Sequence, residues 1–151
     1  MTVNFDELVL NFRKLGLEKG DVLLVHSSYK SFGGVEGGPQ TVIDALKFIL
    51  SEEGTLIVPT FNYDFCDGVS YDVKKTPSKM GIISELVRTD SNSKRTFDPV
   101  FSFSILGKQR DYLANLKYEH SFGSNSVFAK LRELNAKIMI IGLSYNESVT
   151  F

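Results

Sequence analysis

Cysteine is nearly absent from this 151-residue sequence, with Cys66 the single example. No disulfide can close within the chain, which excludes a disulfide-stapled scaffold and fits a reducing cytoplasm. An excess of one charge is also missing. Lys and Arg number 17 against 18 Asp and Glu, for a net charge of -1, so no general electrostatic pull toward nucleic acid is expected. Long apolar runs are missing too. Val22-Leu23-Leu24-Val25 and Ile138-Met139-Ile140-Ile141 fall far short of the ~20 residues that span a bilayer. The start, Met1 to Glu7, is acidic and has no basic segment leading an apolar one, so no signal peptide is expected. Histidine is scarce: His26 and His120 stand at no ligand-pair spacing with each other or with Cys66, and Asp64 and Asp67 lack a calcium-loop frame. No metal is therefore expected. What is present is a 42% hydrophobic composition, enough to fill a core, at a length that suits one domain over 1–151.

The hydrophobic pattern alternates between helical and strand-like segments. Asn4 followed by Glu7 has the form of a capping box, and Phe5, Leu8, Val9, Phe12 and Leu15 follow at helical spacing, predicting a helix over 5–15. Residues 22–26 are continuously apolar up to His26, as in a strand buried on both faces. A polar, glycine-rich loop over 27–38 leads to Pro39, suited to a first helical turn, and to the apolar positions Val42, Ile43, Leu46, Ile49 and Leu50. A second buried strand is expected at 55–59. This order needs a crossover and predicts parallel strands. Residues 60–79 read as a long loop. Ser78 is a candidate cap for a helix carrying Ile82, Ile83, Leu86 and Val87. The alternation of Phe101, Phe103 and Ile105 with Ser102 and Ser104 predicts a half-buried strand over 100–106. A short helix around Leu113 and Leu116, a helix starting at Ser126 and a last strand at 137–142 complete the chain.

The loop 27–38 is the most informative stretch chemically. It leaves the C-terminal end of a buried strand and enters a helix, where ligands bind in open α/β sheets. Its glycines serve either a close approach of backbone amides to an anion or simply the turns. Gly33-Gly34-Val35-Glu36-Gly37 breaks the dinucleotide fingerprint and no P-loop lysine follows. A nucleotide-binding Rossmann protein is disfavoured further because Pro59, not an acidic residue, ends the second strand. His26 is a candidate base, or a histidine hydrogen-bonded at a strand end; it and Ser27 point to opposite faces and do not make a natural pair. Asp64, Asp67 and Asp98 are candidates to attract a cationic substrate, or caps of their loops. Arg88, Lys94 and Arg95 surround a turn and suit phosphate or carboxylate, or a solvated surface.

Taken in order, these blocks resemble the aminoglycoside 3-N-acetyltransferase family. The resemblance rests on Val25-His26-Ser27-Ser28-Tyr29-Lys30-Ser31-Phe32-Gly33 with Glu36-Gly37-Gly38, then on Gly54 to Phe61. Thr76 to Gly81 with Glu85 and Arg88, Arg95 to Ser102, Phe122 to Ser126 and Ile140-Ile141-Gly142 continue it. It implies a three-layer α/β/α sandwich with a largely parallel sheet, and acetyl transfer from acetyl-coenzyme A to an amine of an aminosugar or aminoglycoside. It implies that His26, Ser27, Ser28, Ser31, Phe32, Gly33, Gly37 and Gly38 line the cofactor cleft. Arg95 and Ser102 are expected across it, and Glu85 and Arg88 are expected to be structural. In the fourth block Thr96 stands where drug-modifying members have serine and Asp98 where they have histidine, which brings the chain closer to members acting on sugar amines of surface polysaccharides. The family's catalytic histidine belongs to a Thr-x-x-His-x-x-Glu segment, which Ser148 to Phe151 approaches. The resemblance thus implies a sheet incomplete at its C-terminus and a base beyond Phe151. The expectation is an N-acetyltransferase-like chain with little activity alone; the alternative is a non-catalytic coenzyme A-binding remnant or assembly partner. No nucleic acid or membrane partner is expected, and the last strand invites self-association.

Overall fold

The first helix begins where the sequence places it. In the computed structural model, which describes residues 2–148, Asn4 and Glu7 close a reciprocal capping box at α1 (Phe5–Lys14). Leu8, Val9 and Phe12 form its buried face. β1 (Val22–Ser27) leads through the glycine-rich loop to α2 (Pro39–Leu50), with Pro39 in the first turn, and then to β2 (Thr55–Pro59), which is buried throughout. α3 (Ile82–Thr89), β3 (Lys94–Arg95), β4 (Phe103–Gly107), α4 (Arg110–Ala114), α5 (Val127–Glu133) and β5 (Lys137–Ile141) follow.

The five strands form one sheet in the order β3-β4-β2-β1-β5. β1 pairs in parallel with β2 and with β5, whereas β4 runs antiparallel to both β2 and β3. The sheet is therefore mixed. The reversal arises after α3, where a tight turn and β3 form a hairpin with β4, so β4 enters the sheet from the end at which β2 leaves it. Continuous burial of β1 and β2 has the expected cause: helices cover both faces. Leu23, Val25, Leu56 and Val58 pack in one core with α1, α2 and α3. Leu24 and Ile57 pack with Phe103, Ile105, Leu113, Val127 and Leu131 in the other. Three layers result.

Two local expectations are corrected. The alternating segment around Phe103 is not half-buried: Phe103, Ser104, Ile105 and Leu106 are all buried. Its serines face a hydroxyl cluster rather than water, with Ser104 Oγ donating to Thr60 Oγ1 at 3.5 Å. Ser78 does not cap α3. Gly81 is the N-cap, while the Ser78 hydroxyl accepts from Met80 N–H at 3.1 Å and its own N–H donates to Glu85 at 2.9 Å. Ser126, by contrast, caps α5 as expected.

β5 has β1 as its partner among the described residues and forms an edge. Ile138 on it is 47% exposed. Lys137 anchors its start, donating to Gly16 O at 2.8 Å and to Asp21 at 2.7 Å. No helix of the described residues is long and apolar enough to cross a membrane. Gly107 ends β4 at φ 100°, and a Cβ there would lie 2.3 Å from Gly54 O. Gly107→Ala is expected to destabilise the fold by about 2–4 kcal/mol, from backbone strain plus overpacking, read as a lower urea midpoint at unchanged slope.

Candidate functional site

β1 and β2 both point their C-terminal ends at one rim of the sheet, and the loop 27–38 stands there. Its first half is a 3-10 turn at Tyr29–Phe32. Ser28 N–H donates to Ile141 O at 2.9 Å, Ser31 N–H to Ser28 O at 3.1 Å, and the Ser31 hydroxyl to that of Ser28 at 3.3 Å. Gly142 permits this docking: a Cβ on it would lie 2.6 Å from Ser31 Cβ and 2.9 Å from Ser28 O. The second half is tied to the chain start, Val3 N–H donating to Gly34 O at 3.1 Å and Glu36 N–H to Val3 O at 2.9 Å. Both halves of the loop that carries Ser27, Ser28, Ser31, Phe32, Gly33, Gly37 and Gly38 are thus held by hydrogen bonds to other parts of the fold.

Two helix N-termini open on this rim without a side chain over them. Gly38 (φ 80°) is the N-cap of α2 and Gly81 that of α3, and neither helix has a side-chain cap. Gly81 lies beside the end of β1, its notional Cβ 3.8 Å from Ser27 O. Uncapped N–H groups and the positive end of the dipole favour an anionic or electron-rich group here. His26 lies one residue before the end of β1 within the sheet, 6% exposed. Burial holds its imidazole below the ordinary value of 6.5, so the ring is neutral at pH 7 and able to accept a proton.

A second cluster occupies the same rim one strand further on. The Arg95 guanidinium donates from Nε to the hydroxyls of Thr60 (3.2 Å) and Ser102 (3.0 Å), from Nη2 to Thr60 O (2.7 Å), and from Nη1 to Val73 O (3.5 Å) and Thr76 O. Tyr71 stacks beneath it, 5.1 Å from guanidinium carbon to ring centroid, and donates to Thr96 O at 3.1 Å. Arg95 and Ser102 come together as expected, but their polar atoms are spent on the protein's own carbonyls and hydroxyls. The clasp fixes the loop 60–79 to β2 and β4. An aromatic residue such as Tyr71 reads from sequence as an anchor of the long loop, but carries no signal of the cation on which it stacks.

The candidate acidic residues separate. Asp98 is buried; its Oδ1 accepts from Val100 and Phe101 N–H at 2.9 and 2.8 Å, and its Oδ2 from the Ser121 hydroxyl at 2.6 Å. It organises the turn into β4. Thr96 is internal as well, its hydroxyl accepting from Phe103 N–H at 2.9 Å. Asp98 also borders a cavity of about 710 Å³ with Phe97, Tyr118 and Ser121, in which burial and the Asp98 charge push the Tyr118 phenol up to about 12. Asp64 pairs with Lys79, and Asp67 is exposed. Glu85 receives Arg88 on both oxygens and holds Ser78, as befits a structural pair. Among the described residues no three of His, Cys, Asp or Glu gather as a metal site. Val149 to Phe151, the approach to the expected catalytic histidine, lie outside the described residues.

A mixed five-stranded sheet between two helical layers, with a glycine-capped helix following its central parallel strand, defines a three-layer α/β protein. Residues 24–151 match the family model described as aminoglycoside 3-N-acetyltransferase, and the chain belongs to that family. It is 30% identical to the SPbeta prophage-derived aminoglycoside N(3')-acetyltransferase-like protein YokD of Bacillus subtilis (strain 168), over 93% of this chain and 60% of that protein. The crystal structure of aminoglycoside acetyltransferase AAC(3)-Xa superposes with a TM-score of 0.90 at 26% identity, covering 99% of this chain and 59% of that one. AAC-IIIb, solved as a binary complex with CoASH, has the same fold, with a TM-score of 0.88 at 22% identity over 99% of this chain and 63% of its own. The chain thus spans about three fifths of the length of these relatives.

Two outcomes follow. Arg95→Ala strands the carbonyl of Thr76, leaves that of Thr60 with the Ser102 hydroxyl alone, and is expected to cost about 2–5 kcal/mol, with hydrogen exchange accelerated in residues 60–79 beyond the rest of the chain. The unfolded state accepts a proton on His26 more readily than the fold does. The stability it contributes is therefore whole above pH 6.5 and is lost as pH falls from there toward the depressed folded value. The difference in unfolding free energy between wild type and His26→Gln should shrink in that acid window; a difference constant with pH would contradict this.

Proposed function

We propose that this chain forms the cofactor-holding part of an acetyl-coenzyme A-dependent N-acetyltransferase acting on an amine of an aminosugar or aminoglycoside. The observation that carries the reading is the pre-ordered loop 27–38, running from the end of a buried parallel strand to a glycine-capped helix within a member of this family. His26, Ser27, Ser28, Ser31, Phe32, Gly33, Gly37 and Gly38 are its cofactor-lining residues. Arg95 and Ser102 support the neighbouring wall from behind.

Acetyl transfer joins the amine nitrogen to the thioester carbon and breaks the carbon–sulfur bond; the thiolate leaves, and the amine gives up a proton. The chain's part is to orient the thioester, to present donors where negative charge grows on its oxygen, and to exclude water. Backbone N–H groups of the loop suit the second task. A proton acceptor is needed as the amine attacks. His26, whose neutral form burial favours, is the candidate within the described residues. Asp64 and Asp67, on the accessible loop, are better disposed than Asp98 to meet a cationic acceptor. A cytoplasmic location and self-association through the β5 edge belong to the same proposal, supported by the single thiol and the exposed Ile138.

A second reading, a coenzyme A-binding module without turnover, gains support from one observation: Asp98 and Arg95 are committed internally. One experiment separates the two. Purified chain 1–151 is titrated with acetyl-coenzyme A by calorimetry and then assayed for acetylation of an aminosugar and an aminoglycoside. Saturable binding with turnover supports the enzyme; binding without turnover supports the module; absence of binding overturns both. Gly38→Val, which places a side chain over the start of α2, is expected to weaken binding at least tenfold.

A further inference from the structure

At the far edge of the sheet from β5, a cavity of about 520 Å³ opens between the end of α3, β3 and the end of α4. Four cationic residues border it, Lys74, Arg88, Lys94 and Arg95, and no carboxylate does. Ser93 borders it as well. Its hydroxyl oxygen is buried and has no hydrogen-bond partner. A buried hydroxyl left unpaired costs free energy, and no other group of the described protein relieves it.

The charge around the cavity is also unbalanced. The Arg88 side chain is 9% exposed and gives Nε and Nη2 to Glu85 and Nη1 to Lys74 O. Lys94 pairs with Asp111 at 2.7 Å. Arg95 is held by hydroxyls and carbonyls only, and no carboxylate lies within ion-pairing distance of Arg95 or Lys74 among the described residues. Neither cation is directly paired with a carboxylate beside the unpaired hydroxyl, Asp72 and Glu85 acting on them only at longer range, and burial, with the nearby Arg88 charge, disfavours the Arg95 cation. An anion in the cavity would relieve the electrostatic excess and accept from Ser93 at once. Guanidinium and ammonium groups with a hydroxyl are the donor set that suits a tetrahedral oxyanion, and the volume exceeds that of the anion alone.

We propose that this cavity binds a phosphomonoester group, with Ser93, Lys74 and Lys94 as donors and Arg88 and Arg95 setting the field. As a site for a separate small molecule it is independent of the acetyltransferase reading; as a site for coenzyme A it rests on that reading. Two sources share the chemistry: a phosphomonoester on a separate small molecule, and the phosphomonoester carried by coenzyme A itself.

The test uses chain 1–151 titrated with inorganic phosphate, by calorimetry and by thermal unfolding, against chloride at equal ionic strength. Saturable binding and a rising Tm beyond the chloride control are expected. Lys74→Ala/Lys94→Ala, which alters exposed side chains, should weaken it at least tenfold, and Ser93→Ala several-fold, with Tm in chloride reporting that each variant is folded. If phosphate competes with acetyl-coenzyme A, the source is the cofactor; if the two bind independently, it is a separate ligand. No saturable response, or equal affinity in folded variants, overturns the proposal and leaves an adventitious ion only. Acetyl-coenzyme A binding without phosphate binding would defeat this site and leave the proposed function standing.

Discussion

The buried guanidinium of Arg95 is the interaction on which the rim of this fold depends. It reaches the end of β2 through Thr60, the entry to β4 through Ser102, and the loop 60–79 through Val73 and Thr76. These segments are far apart in sequence, and the guanidinium adds to the hydrogen bonds that already join Thr60 to Ser102 and Asn62 to Pro77. A planar guanidinium with five donors in a fixed fork can hold more carbonyls and hydroxyls at once than the three donors of a lysine. The same clasp explains why Ser102 and Ser104 are polar yet buried, and why a twenty-residue loop can be ordered without secondary structure of its own beyond the short turn at Asp64–Asp67.

Beside that clasp, the loop 27–38 is fixed by other means. Its conformation is set by backbone hydrogen bonds to β5 and to the chain start, and by the close seat of Gly142 against Ser31. The uncapped starts of α2 and α3 are then left facing the rim. A side chain at either N-cap would satisfy those N–H groups internally and remove the attraction for a ligand. Rigidity in the walls and vacancy at the helix ends go together, and preorganisation of this kind limits the ordering cost of binding.

Much of this was legible in advance. The capping box of α1, the Ser126 cap, the two continuously apolar strands and the loop–helix junction at Pro39 are local signals, and each appears where the sequence put it. The family blocks added the family to which the chain belongs. The misreadings share one cause. Ser102 and Ser104 alternate with apolar residues as they would at a wet surface, and only the arrival of Thr60 and Arg95 turns that face inward. Asp98, Arg95 and Ser78 carry the residue types of a binding site or a cap. Their partners, Ser121, Thr76 and Glu85, are set by chain folding rather than by nearby sequence.

The sequence by itself determined the elements, the buried strands, the glycine-capped loop and the family, because these rest on periodicity, capping and spacing within a few residues. Only the tertiary structure decided that β4 runs antiparallel, that Arg95 faces inward and Asp98 is spent on its own turn, and that Ser93 sits unpaired among cations. Those outcomes depend on which distant carbonyls, hydroxyls and charges meet when the layers pack, and no local pattern records that meeting.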